Sequence, residues 1–261
     1  MKNAPNIIVE PPINGISRIK LNEPSTYNAL SSKTLKSLIN IFKSLNNENK
    51  TKVIIIEGSG KGFSGGHDLK EIRSLKKKLK YKKLFNLCSK LMLEIIEGEK
   101  PVIAKVHGAA FAAGCQLVAS CDLAVSSDDA IFATPGVNIG LFCSTPMVAV
   151  SRKVSRKKTM KMLLTGDPID AKYAKEIGLI NDYYPISKLD DEVLKLAKKI
   201  ASKSNLTIKI GKKAFYKQIE MSLYEAYKYT SKVMTKNMMA QDAKEGILAF
   251  LEKRNPHWIN K

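Results

Sequence analysis

Residues 105–146 read KVHGAAFAAGCQLVASCDLAVSSDDAIFATPGVNIGLFCSTP, and their reading decides the fold. Between His107 and Gln116 only Phe111 is bulky, so a ligand can approach the backbone closely. The apolar run Pro101–Val106 before it predicts a buried strand, and Ala112–Ser120 after it predicts a helix opening on small residues. The first turn of a helix carries N–H groups without internal partners and the positive end of the dipole. A carbonyl oxygen gaining negative charge would be stabilised there. A second such turn lies upstream. Val53–Glu57 (VIIIE) is a continuously apolar strand, followed by the glycine-rich GSGKGFSGGHDLK of Gly58–Lys70 and a charged helix. Two strand–turn–helix corners of this kind can point two N–H groups at one oxygen.

The rest of the chain supports alternating strands and helices. Residues 6–21 predict two strands around a Pro/Gly turn. Ser31 or Ser32 can cap a helix with Leu35, Leu38, Ile41, Phe42 and Leu45 on its apolar face. A further helix carries Leu84, Leu87, Leu91 and Ile95 and closes at Gly98; strands follow at Asp122–Ser126 and Ala130–Thr134. Such alternation predicts an α/β architecture with right-handed crossovers. From Ser144 onward the chain reads as mostly helical: Asp170 caps a helix stopped by Gly178, and others fall near 189–203, 206–219, 222–236 and 240–253. There is no internal repeat.

The 261 residues are 44% hydrophobic, enough for one large core with a small appendage. No apolar run approaches the roughly 20 residues needed to span a bilayer, so no membrane insertion is expected. The start, MKNAPNIIVEPP, shows no targeting segment. Cys88, Cys115, Cys121 and Cys143 form no CxxC pair and read as reduced, buried thiols of an intracellular protein, mitochondrial or cytoplasmic. His67, His107 and His257 are not spaced as metal ligands, so no metal is expected. The net charge of +20 is densest at Lys76–Lys83 (KKKLKYKK) and attracts phosphorylated small molecules as readily as nucleic acid. No nucleic-acid motif accompanies it, so no nucleic-acid partner is expected.

Phe63-Ser64-Gly65-Gly66-His67-Asp68-Leu69, His107-Gly108 with Ala113-Gly114-Cys115, and Leu164-Thr165-Gly166 with Ala171, Ala174 and Gly178-Leu179 resemble the crotonase superfamily of enoyl-CoA hydratases and isomerases. The likeness runs from Arg18 to Arg254. It implies a spiral of ββα units, with residues 1–195 as the acyl-CoA-binding core and 196–261 as a helical region that assembles homotrimers or hexamers. It places an oxyanion hole at the backbone N–H groups of His67 and Ala113. Contacts to the coenzyme A part are implied for Ser64, Gly65, Gly66, Asp68, Leu69, Lys70, Gly114, Pro135 and Gly136. Phe250 and Lys253 are implied from a neighbouring subunit. No cofactor is expected beyond the coenzyme A thioester itself, as substrate or ligand.

The sequence departs from the hydratase pattern where the carboxylates belong. The first glutamate position is Gln116, the second Gly136, and the isomerase acid position Ser144. An amide can hold water but cannot take up a proton near neutral pH. The reading is therefore an acyl-CoA-binding protein, hydratase-like in fatty-acid metabolism. The alternatives are a non-catalytic binding or assembly protein and an isomerase, and RNA binding is a remote reading taken from another superfamily member. Asp68, Glu71, Asp122, Asp128 and Asp129 are weak substitutes for the missing acids, Asp122 reading rather as a partner of loop N–H groups. Cys143 reads as core and His107 as a shaper of its turn. Gly62–Gly66 also matches the G-x-S-x-G nucleophile elbow, but the only late histidine is His257, close to the end of the chain.

Overall fold

The computed structural model describes residues 5–261. Strands β1 (Ile7–Ile13) and β2 (Ile16–Leu21) form an antiparallel hairpin. Asn14 and Gly15, at φ 52° and 80°, make the left-handed turn that matches the twist of the strands. After a 3-10 turn at Pro24–Thr26, α1 (Ser32–Asn47) starts where the Ser31 side chain accepts the Thr34 N–H. Its face of Leu35, Leu38, Ile39, Phe42 and Leu45 is buried, each side chain contributing about 1.5–3 kcal/mol.

Three ββα turns follow. They are β3 (Val53–Gly58), β4 (Gly62–Ser64), α2 (Leu69–Leu75) and α3 (Lys78–Glu97); then β5 (Val102–Val106), β6 (Ala109–Phe111) and α4 (Ala113–Ser120); then β7 (Leu123–Ser127) and β8 (Ile131–Ala133) with a 3-10 turn at Pro135–Ile139. In each turn the first strand joins a six-stranded sheet, β1-β2-β3-β5-β7-β10 with β10 at Asp182–Tyr184, and the second joins a four-stranded sheet, β4-β6-β8-β9 with β9 at Ile169–Asp170. The chain thus climbs as a spiral, and every strand-to-helix corner is left on the same side of two parallel ladders. The core between sheets and helices is filled by residues such as Phe42, Ile54, Phe63, Leu91 and Phe132.

Helices α5 (Pro146–Val150), α6 (Arg156–Thr165) and α7 (Ala171–Glu176) follow, then β9 (Ile169–Asp170, between α6 and α7) and β10 (Asp182–Tyr184). The expectation of a mostly helical chain after Ser144 misses both strands, and the small-residue run conceals β6. These strands are two or three residues long and exist by ladder pairing, β10 beside β7 and β6 between β4 and β8. Local pattern does not encode such pairing.

Helix α8 (Ile186–Ala201) covers the outer face of the large sheet, where Leu189, Val193, Ala197 and Ala201 meet Ile16, Val53, Ile55, Ile103 and Val125. Arg18 makes a bidentate pair with Asp190 at 2.8–2.9 Å, and Lys105 bridges Asp190 and the buried Glu57. A division after residue 195 falls inside this unbroken helix; the chain leaves the sheet layer at α9 (Asn205–Gln218), α10 (Leu223–Met238) and α11 (Gln241–Leu251). Lys212 fastens α9 to the core by donating to Ile95 O, Lys100 O and Asp122 Oδ2 at 2.7–2.9 Å. The buried Asp242 ties down the chain end by accepting from Ser204 Oγ and from the Ile259 and Asn260 N–H groups. No described helix is long and apolar enough to cross a membrane.

Candidate active site

The first corner, between β4 and α2, is braced by a segment whose part the sequence reading missed. Asn28, buried and at φ 52°, donates from Nδ2 to the carbonyls of Ser59 and Gly62 at 2.9 Å and of Phe63 at 3.2 Å. Gly65 N–H reaches Tyr27 O at 2.8 Å, Leu30 N–H reaches Gly66 O at 2.7 Å, and His67 Nδ1 reaches Leu30 O at 3.1 Å. Ser64 Oγ donates to Asn28 O and accepts Gly66 N–H, so its hydroxyl is consumed inside the turn. Asp68 accepts the Lys70 and Glu71 N–H groups as the N-cap of α2. No local signal in the sequence ties Asn28 to this turn, because its partners lie 31 to 35 residues further along the chain.

The second corner, between β6 and α4, turns on Ala112 at φ 49°, ψ −114°, a conformation that favours glycine and costs an alanine about 1–3 kcal/mol. It is held there by Ala112 N–H on Ala133 O at 2.9 Å and Gln116 N–H on Ala112 O at 3.0 Å. Strain of this kind, over-determined on both sides, fixes the direction of the next N–H, that of Ala113.

The two corners touch. A Cβ built on Gly66 (φ 92°) would stand 2.9 Å from Phe111 O, 3.0 Å from Ala113 N and 3.1 Å from Ala112 Cβ. Gly114 packs equally tightly on Ser64, whose carbonyl would lie 2.2 Å from an added Cβ. Neither the His67 nor the Ala113 N–H meets an acceptor among the described residues. Two free donors on adjoining corners are the arrangement an oxyanion needs.

None of residues 116, 136 and 144 is a carboxylate. Gln116 is buried, and its Oε1 lies 3.8 Å from the Cys88 thiol. At Gly136 a side chain has no room, because an added Cβ would meet Leu141 O at 2.7 Å and Cys143 Sγ at 2.9 Å. Ser144 is exposed and turns back on Phe142 O. Burial pushes the Cys88 and Cys115 thiols up to about 12 and raises Cys143 as well. His107 Nε2 bonds Gly60 O at 2.9 Å, joining its turn to the β3–β4 connection. Asp122 accepts from Val102 N–H, Lys212 and Tyr216 OH. Glu71 accepts the Ser32 N–H at 2.9 Å, and Asp128 and Asp129 stay in the β7–β8 turn. The G-x-S-x-G reading falls away, since Ser64 Oγ is buried in its own turn and His257 sits beside Glu245 at the chain end.

Gly65, Leu69 and Lys70 are exposed beside the first corner, while Pro135 is half-buried beside Gly136. Phe250 near the end of α11 and Lys253 just beyond it are exposed. Two surface clefts of about 410 and 440 Å³ flank α6, one lined by Lys158, Thr165 and Tyr173 and the other by Met147, Met160 and Leu163. Neither cleft is lined by His67 or Ala113.

Comparison with known proteins agrees with this fold. The sequence profile described as enoyl-CoA hydratase/isomerase matches residues 13–261. The human mitochondrial enoyl-CoA hydratase domain-containing protein 3 is 48% identical over 249 residues, 95% of this chain and 82% of the relative. A probable mitochondrial enoyl-CoA hydratase of Dictyostelium discoideum is 32% identical, covering 94% of this chain and 88% of its own. Among solved structures, an enoyl-CoA hydratase of Mycobacterium smegmatis superposes with a TM-score of 0.96 at 45% identity, over 98% of this chain and 99% of that one. The human domain-containing protein 3 superposes at 0.94 with 46% identity, over 97% and 100%.

Proposed function

The chain belongs to the enoyl-CoA hydratase/isomerase family, and from that premise we propose that it binds an acyl-CoA and polarises the thioester carbonyl with the His67 and Ala113 N–H groups. The observation that supports this is the contact of Gly66, the residue before His67, with the Ala112–Ala113 peptide, which sets the two corners with their unpartnered donors side by side. Each donor contributes about 10²–10³-fold to a reaction that passes through an enolate or another oxyanion. Being backbone groups, they survive whatever side chain stands at residue 67.

Ser64, Gly65, Gly66, Asp68, Leu69, Lys70, Gly114, Pro135 and Gly136 frame the coenzyme A part in this reading. Lys70 and the lysines of Lys76–Lys83 form no ion pair with described residues and supply the field that phosphates need. The reaction that goes with the family is hydration of a 2-enoyl-CoA, with double-bond isomerisation second. Ordinary hydration uses positioned acid–base groups worth about 10²–10⁴-fold each. The filled space at Gly136 and the amide of Gln116 remove both, which supports weak hydration or a second reading as a non-catalytic acyl-CoA-binding protein.

Assembly as a homotrimer or hexamer is part of the proposal. Leu223, Tyr224, Tyr227, Met239, Phe250 and Leu251 on α10, α11 and their junction are exposed, and a neighbouring subunit that covers them brings its own Phe250 and Lys253 towards the coenzyme. The relatives named above as mitochondrial support that compartment.

Calorimetric titration of the purified chain with butyryl-CoA and with free coenzyme A tests the binding half. The acyl thioester is expected to bind more tightly than the free thiol. Equal affinity, or none, contradicts carbonyl recognition.

A further inference from the structure

Helix α3 begins before the core needs it. Its first buried residue is Leu84, so Lys78–Lys83, about 9 Å of helix, carry no buried side chain. All six lysines of Lys76–Lys83 are exposed, and Leu79 stands among them with 61% of its surface in solvent. Lys70 and Arg73 on α2 raise the cations between residues 70 and 83 to eight, against one carboxylate, Glu71, which already accepts the Ser32 N–H. None of the eight pairs with an acid among the described residues.

Local physics works against this arrangement. Lys77 stands at the N-cap of α3 without a side-chain cap, and the first turn has no acid. Cations are unfavourable at the positive end of a helix dipole, and Lys78 and Lys82 repel across one turn. Lys76 holds φ 48°, where glycine or asparagine is favoured. Capping, packing and turn geometry therefore leave the lysines unexplained, and a counter-charge outside the chain explains them. The outward face of α3 continues the pattern: Leu79, Lys82, Lys83, Asn86, Lys90 and Leu93 follow at three- and four-residue steps, all exposed, opposite the buried row of Leu84, Cys88, Leu91 and Ile95. This helix side is convex and gives no groove for a nucleic-acid strand to follow. Its aromatic residues, Tyr81 and Phe85, are half-buried and offer no stacking platform. A lipid surface is flat, accepts ammonium groups at its phosphates and takes up leucine side chains at the interface.

We propose that the α2–α3 face docks on the surface of a bilayer containing anionic phospholipids, with Lys76–Lys83 on the headgroups and Leu79 entering the interface. The chain lies on the membrane and does not cross it through any described helix. Docking goes beyond the acyl-CoA reading and stands or falls without it.

The test is co-sedimentation of the full chain with vesicles of phosphatidylcholine alone or with about 30% phosphatidylglycerol, at about 0.1 M salt. Wild-type protein is expected to bind the anionic vesicles and to ignore the neutral ones. A lysine near an anionic leaflet contributes about fivefold, so K76Q/K77Q/K80Q/K83Q should lose about 100-fold or more. K188Q/K198Q/K199Q/K203Q, which removes the same charge from α8 and the residues after it, should lose less than about threefold. L79S should weaken binding by about threefold, an effect that a purely ionic contact does not show. Melting curves establish that each variant is folded. Equal binding to both kinds of vesicle, equal losses in the two quadruple variants, or L79S binding as wild type overturns the proposal. So does a wild-type chain that ignores anionic vesicles but captures a single-stranded RNA through the same lysines.

Discussion

Replacing Gly66 by alanine strikes the contact on which the two corners depend. The new methyl would stand 2.9 Å from Phe111 O and 3.0 Å from Ala113 N, about half an ångström inside ordinary contact, and all its neighbours are backbone or Cβ atoms. None of them can turn aside as a long side chain would. Left-handed φ costs alanine about 1–2 kcal/mol and overpacking about 1–3 kcal/mol more, so G66A is expected to lose about 2–5 kcal/mol. At this chain length that lowers the melting temperature by roughly 5–15 °C. The corners must part to admit the methyl. If a 1 Å misplacement costs about 10²-fold, half of that weakens recognition of the thioester by about tenfold. Gly15 is the control, at φ 80° with only the flexible Lys52 side chain beside it. G15A carries the backbone cost alone and leaves binding untouched. Melting curves and titration with butyryl-CoA at a temperature where both variants are folded give the comparison. Folded G66A binding butyryl-CoA as tightly as wild type refutes the two-corner site.

Other substitutions read different parts of the account. G136E, alone or with Q116E, is expected to melt far below wild type and to gain no hydration of crotonyl-CoA, because Leu141 O and Cys143 Sγ occupy the space a glutamate needs. Q116E alone keeps the fold, but its buried carboxyl has a raised pKa. Stability relative to wild type is then full below about pH 4.3 and declines as pH rises towards the folded pKa, which acid-to-neutral melting curves will show. K212M leaves Asp122 without its cation and two carbonyls without a donor, for a loss of about 3–5 kcal/mol in denaturant titration. Alkylation at pH 8 followed by mass spectrometry should leave Cys88 and Cys115 unmodified in the folded protein, since burial holds both thiols up at about 12.

The fold was legible wherever a residue's neighbours along the chain decide its state. The periods of α1 and α3, the apolar runs of β3 and β5 and the Asp170 cap are of this kind, and all form as expected. Strands β6, β9 and β10 were not legible, because two or three residues become a strand only when a distant partner lies alongside. The site divides in the same way. That two small-residue corners open helices could be read from the chain; that Gly66 rests on Ala113, and that Asn28 bridges three carbonyls of the first corner, needs the spiral to bring them together. The absent carboxylates at residues 116, 136 and 144 were plain in the sequence, but not that residue 136 is sealed by Cys143. That the His67 ring is anchored on the Leu30 carbonyl was not legible either, since that partner lies 37 residues away.

The claim at the centre is that two backbone N–H groups polarise an acyl-CoA carbonyl, and the infrared difference spectrum of carbonyl-¹³C crotonyl-CoA bound to the wild-type chain tests it most directly. Two hydrogen bonds on the oxygen should move the thioester carbonyl stretch of the bound ligand to lower frequency than in water. G66A should reduce that shift and H67Q should keep it. A bound carbonyl stretching at the frequency of the free ligand, in protein shown by titration to be saturated, would contradict the account.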